Sequence, residues 1–145
     1  MTLRYPPRRE PRVLAIAPDS RRLLWAVADP WEIRGAGRLR CSYRAQASAI
    51  IRLARRERPT VIVAPRRSFN RLSFALGDIG VPFLPASFPI APEPIAAELF
   101  PEIALHATTR ALRKVAVEAI SAVLHGQFPS RNYAASRNKT ILRRP

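Results

Sequence analysis

Cysteine and histidine are scarce in this 145-residue sequence, which has only Cys41, His106 and His125. A single thiol excludes an internal disulfide, and so few thiols and imidazoles exclude a Cys/His zinc site. No apolar run approaches the roughly 20 residues of a membrane-spanning helix. The N-terminus, MTLRYPPRREP, also lacks the apolar stretch of a secretory signal. We therefore expect a soluble, cytoplasmic protein that does not associate with membranes.

Acidic residues are also few: 10 stand against 25 basic ones, which gives a formal net charge of +15. The basic residues are arginines except for Lys114 and Lys139. A coding bias explains arginine in place of lysine, but it does not explain the shortage of acids. Because the guanidinium group matches phosphate with two parallel hydrogen bonds, this composition favours a polyanionic partner. Nucleic acid is the first choice, and an acidic protein is the alternative.

The length fits one domain flanked by two basic segments. Residues 1–11 hold three prolines and three arginines with little to bury, which predicts a disordered basic arm. Residues 127–145 carry five basic residues and predict a flexible basic tail. The folded domain is therefore expected at 12–126.

The stretch RVLAIAPDSRRLLWAVAD, residues 12–29, has the pattern of a β-hairpin. Val13–Ala17 and Leu23–Ala28 are apolar runs, and Pro18, Asp19 and Ser20 between them favour a tight turn. Asp29-Pro30 is a second turn signal. A third antiparallel strand is expected over residues 31–39, where Gly35 and Gly37 indicate a bulge or a close backbone approach.

After Ser42, a possible N-cap, the apolar period changes to that of a helix, which Pro59 ends. Residues 60–64, TVIVA, are apolar on both faces, as in a buried parallel strand. A helical crossover between strands predicts that this strand lies parallel to the first one. The inward positions of the helix are Ala47, Ile50, Ile51 and Ala54.

The second half of the domain alternates helices and loops. Ser68 is expected to cap a helix that Gly80 ends, and residues 81–84 form an edge strand because they contain a proline. A proline-rich connector, 85–94, leads to a short helix over 94–100. The longest helix is expected over 108–125, with Gly126 as its C′ residue. The inward positions of these helices are Phe69, Leu72, Ala75, Leu76 and Ile79, then Leu112, Val115, Ala116, Ala119, Ile120 and Val123.

These elements predict an α/β domain with a mixed five-stranded sheet, in which three antiparallel strands precede parallel ones, and helices on both faces. Their order resembles the ribonuclease H-like fold. The stretch VLAIAPDSRRLLWAVAD is similar to the opening of RuvC-type Holliday junction resolvases and YqgF-type resolvases. In those families a strand of the form I-L-G-I-D-P-G precedes a strand such as G-x-A-V.

The resemblance implies cleavage of phosphodiesters by two metal ions that carboxylates hold. The family's first carboxylate belongs at the position of Ala17, and the second belongs near Ala64-Pro65. The last ones belong to a D-A-x-D-A run on the final helix, where this chain has KVAVEAISAVLH with Glu118 as its only acid. The resemblance therefore implies a nuclease fold whose metal-binding carboxylates are largely missing.

Weak catalytic candidates remain. Asp19 lies two residues beyond the lost aspartate, although an Asp in a tight turn is usually a turn former. Glu118 is more readily explained as a solvated or ion-paired helix residue, and Asp78 is a third acid for a rearranged site. His106 and His125 are expected on helix surfaces.

The candidates for phosphate contact are basic or amide side chains close to predicted loops and helix ends. The loop PRRSFNRL after the buried parallel strand is expected at the same sheet edge as the hairpin turn, which is where the resemblance implies that the substrate is held. Trp31, Tyr43 and Tyr133 are candidates for base stacking if exposed, whereas Trp25 and Phe74 are expected in the core. The phosphate-contact candidates are Arg21, Arg22, Arg66, Arg67, Asn70, Arg71, Arg110, Arg113 and Lys114.

The leading hypothesis is a catalytically inactive, RuvC-like domain without a cofactor, which binds nucleic acid, DNA rather than RNA, through arginine–phosphate contacts. It acts alone, as a homodimer or within a protein complex. The first alternative is a divergent Mg²⁺-dependent nuclease that uses Asp19, Asp78 and Glu118. The second is a basic assembly subunit that binds an acidic protein or a nucleoprotein complex.

Overall fold

A computed structural model describes residues 11–126. The two predicted basic segments lie outside that range, except for residue 11 of the first one. The described chain forms five strands and five helices. The strands are β1 (Val13–Pro18), β2 (Arg22–Ala28), β3 (Ile33–Arg40), β4 (Val61–Ala64) and β5 (Phe83–Pro85). The helices are α1 (Gln46–Glu57), α2 (Arg66–Leu72), α3 (Glu93–Leu99), α4 (Ile103–His106) and α5 (Arg110–Leu124).

The strands form one mixed sheet in the order β3-β2-β1-β4-β5. The predicted hairpin pairs β1 with β2 in antiparallel register from Val13 opposite Ala28 to Pro18 opposite Leu23. The predicted crossover is confirmed, since β4 lies parallel to β1 with Leu14 opposite Ile62. β5 lies parallel to β4 at the edge of the sheet, as predicted, but it covers Phe83–Pro85 rather than residues 81–84. The fold class inferred from the sequence is therefore correct.

Helices cover both faces of the sheet because side chains alternate along each strand. Val13 and Ala15 of β1 belong to the core cluster that includes α5. Leu14 and Ile16 belong to the opposite cluster, which α1 and the α2 region complete. Both central strands are apolar on both faces because each face is covered.

Several predicted element boundaries are wrong by a few residues. β3 begins at Ile33 rather than Trp31, because the Asp29 carboxylate accepts the backbone N–H groups of Trp31 and Glu32, both at 2.8 Å, and so extends the turn. Ser42 precedes a 3₁₀ turn, Tyr43–Ala45, which leads into α1. Ser68 is not a cap: α2 begins at Arg66, directly after Pro65.

α2 is also shorter than its apolar spacing predicted. It ends at Leu72, and irregular turns follow as far as residue 80. Leu76 still points into the core, but Ala75 is exposed because the helical period no longer applies there. Phe74, predicted to be in the core, is 97% exposed, because it lies in these turns and off the side on which Leu72 and Leu76 are buried.

The C-terminal helices depart less from the prediction. α3 begins at Glu93, and α4 was not predicted. α5 begins at Arg110, where the Thr109 hydroxyl accepts the backbone N–H of Leu112 at 3.2 Å and so caps the helix. Gly126 follows with φ of 71°, the left-handed conformation expected of a C′ glycine.

The two glycines of β3 allow a close approach, as predicted. The indole of Trp25 on β2 lies over both, and a Cβ at Gly37 would stand 3.0 Å from its ring atoms. The Arg56 guanidinium covers the same ring at 5.1 Å. The register between β2 and β3 shifts beside Gly35, between Val27 and Ala28. Trp25 is therefore half-buried against glycine rather than fully inside the core.

Within residues 11–126, no helix combines the length and the apolar character needed to cross a membrane.

Candidate nucleic-acid interface

Three chain segments meet at the end of the sheet where β1 and β4 finish. The hairpin turn follows β1, and residue 65 follows β4, which runs in the same direction. Arg22, at the start of β2, lies opposite Arg40, the last residue of β3. The backbone N–H of Cys41 donates to the Arg21 carbonyl at 3.1 Å. The topology thus brings arginines from the hairpin turn, β2, β3 and α2 to one sheet end.

Asp19 organises the hairpin turn, as its position after proline predicted. Its Oδ1 accepts the backbone N–H groups of Arg21 at 2.9 Å and Arg22 at 3.2 Å, and its Oδ2 accepts Nε of Arg22 at 3.0 Å. The hydrogen bond from the Arg21 N–H, followed by that from the Arg22 side chain, lowers the pKa of Asp19 below its usual 3.8. The carboxylate and the Arg22 charge therefore largely satisfy each other.

A buried glutamine connects the hairpin turn to both helices of this face. Gln46, the first residue of α1, is fully buried, and its Nε2 donates to the Asp19 carbonyl. Its Oε1 accepts Nη2 of Arg71 at 2.6 Å. The Arg71 guanidinium also lies 3.9 Å from the centre of the Tyr43 ring. Arg71 therefore supports the architecture, while other arginines of this end point outward.

We call the exposed arginines at this end of the sheet the basic rim. Its members form no ion pair with any residue of 11–126, and Asp19, the acid in the hairpin turn, is already paired. Asn70 is exposed on α2 beside them. Because α2 has only seven residues, the rim depends on guanidinium groups rather than on a helix N-terminus. The members are Arg21, Arg40, Arg44, Arg66 and Arg67.

Sequence reasoning missed three residues of this region: Arg40, Arg44 and Gln46. The strand register places Arg40 opposite Arg22. Pairing the predicted third strand with the second in antiparallel register would have placed Arg40 at this sheet end. Gln46 shares the inward face of α1 with Ile50 and Leu53, at the spacing of a helix. A glutamine at such a position was a detectable signal for a buried hydrogen bond.

The candidates on α5 lie on the other face of the sheet. Arg110 and Lys114 are exposed, and Nε of Arg113 pairs with Oε1 of Glu93 at 3.1 Å. Glu118 is only 9% exposed, and its Oε2 has no hydrogen-bond partner among residues 11–126. Burial raises the pKa of Glu118 above its ordinary 4.5, and the nearby Lys114 charge opposes that effect.

The donor set at the family's metal positions does not fit Mg²⁺. Ala17 packs on the α5 side of the sheet, and Ala64 lies in the core on the α1 side. Neither side chain offers the oxygen ligands that hard divalent ions need. Within residues 11–126, no three His, Cys, Asp or Glu side chains come close enough to hold a metal ion, so Asp19, Asp78 and Glu118 form no such group.

The aromatic candidates divide between the rim and the rest of the surface. Tyr43 is 55% exposed and lies beside Arg71, next to the basic rim. Trp31 is 74% exposed at the β2–β3 turn. His125 is exposed at the end of α5 and stacks on Phe88, with ring centres 6.3 Å apart. The remaining candidates are His106, which is half-buried, and Tyr133, which lies outside the described residues.

Comparison with known proteins identifies the fold. No protein-family model matches the sequence, and no curated protein matches it. Among solved structures, the Thermus thermophilus RuvC in complex with a Holliday junction substrate is similar with a TM-score of 0.59 and 11% identity. The match covers 81% of this chain and 95% of that one. A second Thermus thermophilus RuvC structure gives a TM-score of 0.57 and 12% identity, over 80% and 95% of the two chains. This chain therefore has the ribonuclease H-like fold in the form found in RuvC resolvases, as its opening hairpin indicated.

Proposed function

We propose that this domain binds nucleic acid by its phosphate backbone through the basic rim, and that it does so without cutting it. The observation that carries the proposal is the rim itself. Five exposed arginines lie at one end of the sheet and none of them forms an ion pair within residues 11–126, where Asp19 is already paired with Arg22. Guanidinium groups in that state bind phosphate oxygens and position a strand or duplex without base readout.

The rim is held in shape before any ligand arrives. The Gln46 side chain fixes the hairpin turn and Arg71 with respect to α1, so Arg21, Arg44 and Arg67 project from connected segments. A preorganised set of charges loses less conformational entropy on binding than separate flexible ones. Tyr43 lies next to this set with more than half of its surface exposed, which supports stacking of an unpaired base.

Side-chain chemistry supports the proposal that the domain does not cut nucleic acid. Ala17 and Ala64 stand where the family resemblance calls for carboxylates, and Glu118 alone provides one ligand where two-metal catalysis needs several. DNA is the proposed ligand in preference to RNA, in line with the Holliday junction that the similar RuvC structure contains. We propose that the domain works as a DNA-binding module or as a non-catalytic subunit.

The experiment is a titration of the full chain against a labelled four-way junction, plain duplex, single-stranded DNA and structured RNA. Each titration is made at two salt concentrations with Mg²⁺ present, and the products are separated on a gel. We expect salt-dependent binding, tightest to DNA, with the substrate intact. Binding of two phosphates by Arg66 and Arg67 predicts that Arg66→Ala with Arg67→Ala flattens the slope of log K against log salt by about 1.8 for duplex DNA.

A matched control removes the same charge elsewhere. Arg55 and Arg58 are exposed near the other end of α1, and Arg55 lies about 13 Å along the helix axis from Gln46 at 1.5 Å per residue. Arg55→Ala with Arg58→Ala should leave the salt slope almost unchanged. An equal loss in both double variants would show that net charge, rather than the rim, determines binding.

The other hypotheses have their own outcomes in the same assay. Cleavage that Asp19→Ala or Glu118→Ala abolishes, with the fold intact, would establish the divergent nuclease. Absence of binding to all four nucleic acids at low salt would refute the proposal and favour an acidic protein partner. Under the proposed function, Asp19→Ala leaves binding nearly unchanged because its carboxylate faces its own turn.

A further inference from the structure

A second concave site lies on the α5 face of the sheet, opposite the face that α1 and the α2 region cover. The segment after β5 crosses α5 and is fastened there, since the Ala91 N–H donates to Oγ of the fully buried Ser121 at 2.8 Å. That hydroxyl in turn donates to the Val117 carbonyl at 2.7 Å. Between this segment and α5 lies a cleft of about 600 Å³, within the range of small-molecule sites.

The walls of the cleft are mainly apolar, and one of the lining residues, Glu118, carries a carboxyl group. Ile90 and Ala91 form one wall, and Ala111 and Val117 line α5. Glu118 is nine-tenths buried, and its Oε2 has neither solvent contact nor a hydrogen-bond partner within residues 11–126. A buried carboxyl without a partner costs free energy that a ligand donor would recover.

Positive charge lies along the same helix at helical spacing from that carboxyl. Lys114 and Arg110 precede Glu118 by one and two steps of four residues, and both line the cleft. Each step is about 6 Å along the helix axis. Glu93 also lines the cleft, but Arg113 neutralises it through a 3.1 Å ion pair. A ligand therefore meets a hydrogen-bond acceptor at one end, apolar walls in the middle and cations at the other end.

We propose that this cleft binds a nucleoside monophosphate whose base carries an exocyclic amino group. The base lies between the apolar walls and donates its amino hydrogens to the Glu118 carboxyl, while the phosphate reaches Lys114 and Arg110. Guanine, adenine and cytosine carry such a group, and uracil does not. An amino acid is too short to bridge the two ends, because its ammonium and carboxylate groups flank a single carbon atom. This site does not depend on the basic rim, because none of its lining residues belongs to the rim.

The test is isothermal titration of the full chain with GMP, AMP, CMP and UMP, and with the corresponding nucleosides. A hydrogen bond to a charged group changes affinity by about ten- to hundredfold, so each of the first three should bind at least tenfold more tightly than UMP. The nucleosides should bind more weakly than their monophosphates. Equal binding of all four nucleotides, or no binding of any at millimolar concentration, overturns the proposal.

Variants of the protein test the contact to the base and the contact to the phosphate separately. In Glu118→Gln the amide offers both a donor and an acceptor, so the preference over UMP should disappear while the phosphate contribution remains. Arg110→Ala with Lys114→Ala should remove the difference between nucleotides and nucleosides, and Arg55→Ala with Arg58→Ala should not. Retention of the base preference in Glu118→Gln contradicts the proposal.

Two further measurements locate the binding site and identify its natural ligand. Amide chemical-shift changes with GMP should fall on Ala91 and Ala111, and changes at Arg66 and Arg67 instead would overturn the assignment. With the rim weakened by Arg66→Ala and Arg67→Ala, a single-stranded tetranucleotide that binds more tightly than the monomer and shifts the same cleft amides would identify an unpaired residue of a nucleic-acid chain as the source. The reverse order would identify the free nucleotide, and either order supports the proposed chemistry.

Discussion

Acidification from neutral pH should stabilise the fold through Glu118, in contrast to the acid denaturation usual for paired carboxylates. The group is buried, its Oε2 is unpaired within the described part of the chain, and burial raises its pKa above 4.5. Between 4.5 and its raised value, the folded state binds more protons than the unfolded state. The free energy of unfolding therefore falls as pH rises through that window and levels off above it.

The magnitude follows from the linkage between pKa and stability. For each unit by which the pKa of folded Glu118 exceeds 4.5, this group makes the free energy of unfolding at neutral pH about 1.4 kcal/mol lower than at a pH where Glu118 is protonated in both the folded and the unfolded state. The nearby Lys114 charge reduces this penalty but does not reverse it. Lys114→Ala should therefore enlarge the pH dependence, which ties the effect to this pair of residues.

The assay is urea denaturation of the wild type and of Glu118→Gln at closely spaced pH values from 4.5 to 8. Subtraction of the two curves cancels the groups that both proteins share. We expect the difference in unfolding free energy to favour Glu118→Gln increasingly as pH rises, until Glu118 is fully ionised. A flat difference curve, or one with the opposite slope, would refute the reasoning that burial controls this carboxyl.

Three further predictions concern the sheet end and the β2–β3 pair. Gln46→Ala should cost about 2–4 kcal/mol in urea denaturation, because it breaks one bond to a carbonyl and one to the Arg71 cation; an unchanged midpoint would contradict the connecting role of that side chain. Gly37→Ala should cost about 1–3 kcal/mol, because its Cβ would meet the Trp25 ring at 3.0 Å, and a stabilised variant would show that the indole shifts freely. Asp19→Ala should lower the melting temperature at neutral pH, and this difference should shrink as pH falls from 3.8 through the lowered pKa of the folded carboxyl, because the stability from a lowered carboxyl pKa is lost as that group is protonated. A melting-temperature difference that stays constant as pH is lowered through the acid range would show that the Asp19 charge is not its source.

Much of the fold was readable from local pattern. The hairpin, β4 and α5 were predicted because apolar period, proline and glycine act over a few residues of chain. Where the prediction was wrong, a helix ended at a position that no proline or glycine marks. α2 stops at Leu72 although the apolar spacing continues, and Ala75 consequently faces solvent.

The candidate sites were only partly predictable. Arg21, Arg66 and Arg67 were found because they flank turn and loop signals, and the crossover rule brought those segments together. Arg71 was also selected, but its side chain is engaged by Gln46 and Tyr43. Sequence spacing does not reveal such engagement, because it depends on which helices come into contact.

The sequence by itself determined the order of the strands and helices, the two-sided burial of the central sheet and the excess of arginine at loops. Tertiary structure decided which charges are free and which are paired. Gln46 joins Asp19 and Arg71 across 27 and 25 residues, and the α5 cleft requires residues 90–93 to lie along the helix. Hydrophobic period acts between neighbours in the chain, whereas pairing, burial and desolvation act between neighbours in space. The burial of Glu118 and its unpaired carboxylate oxygen could therefore be recognised only in the tertiary structure.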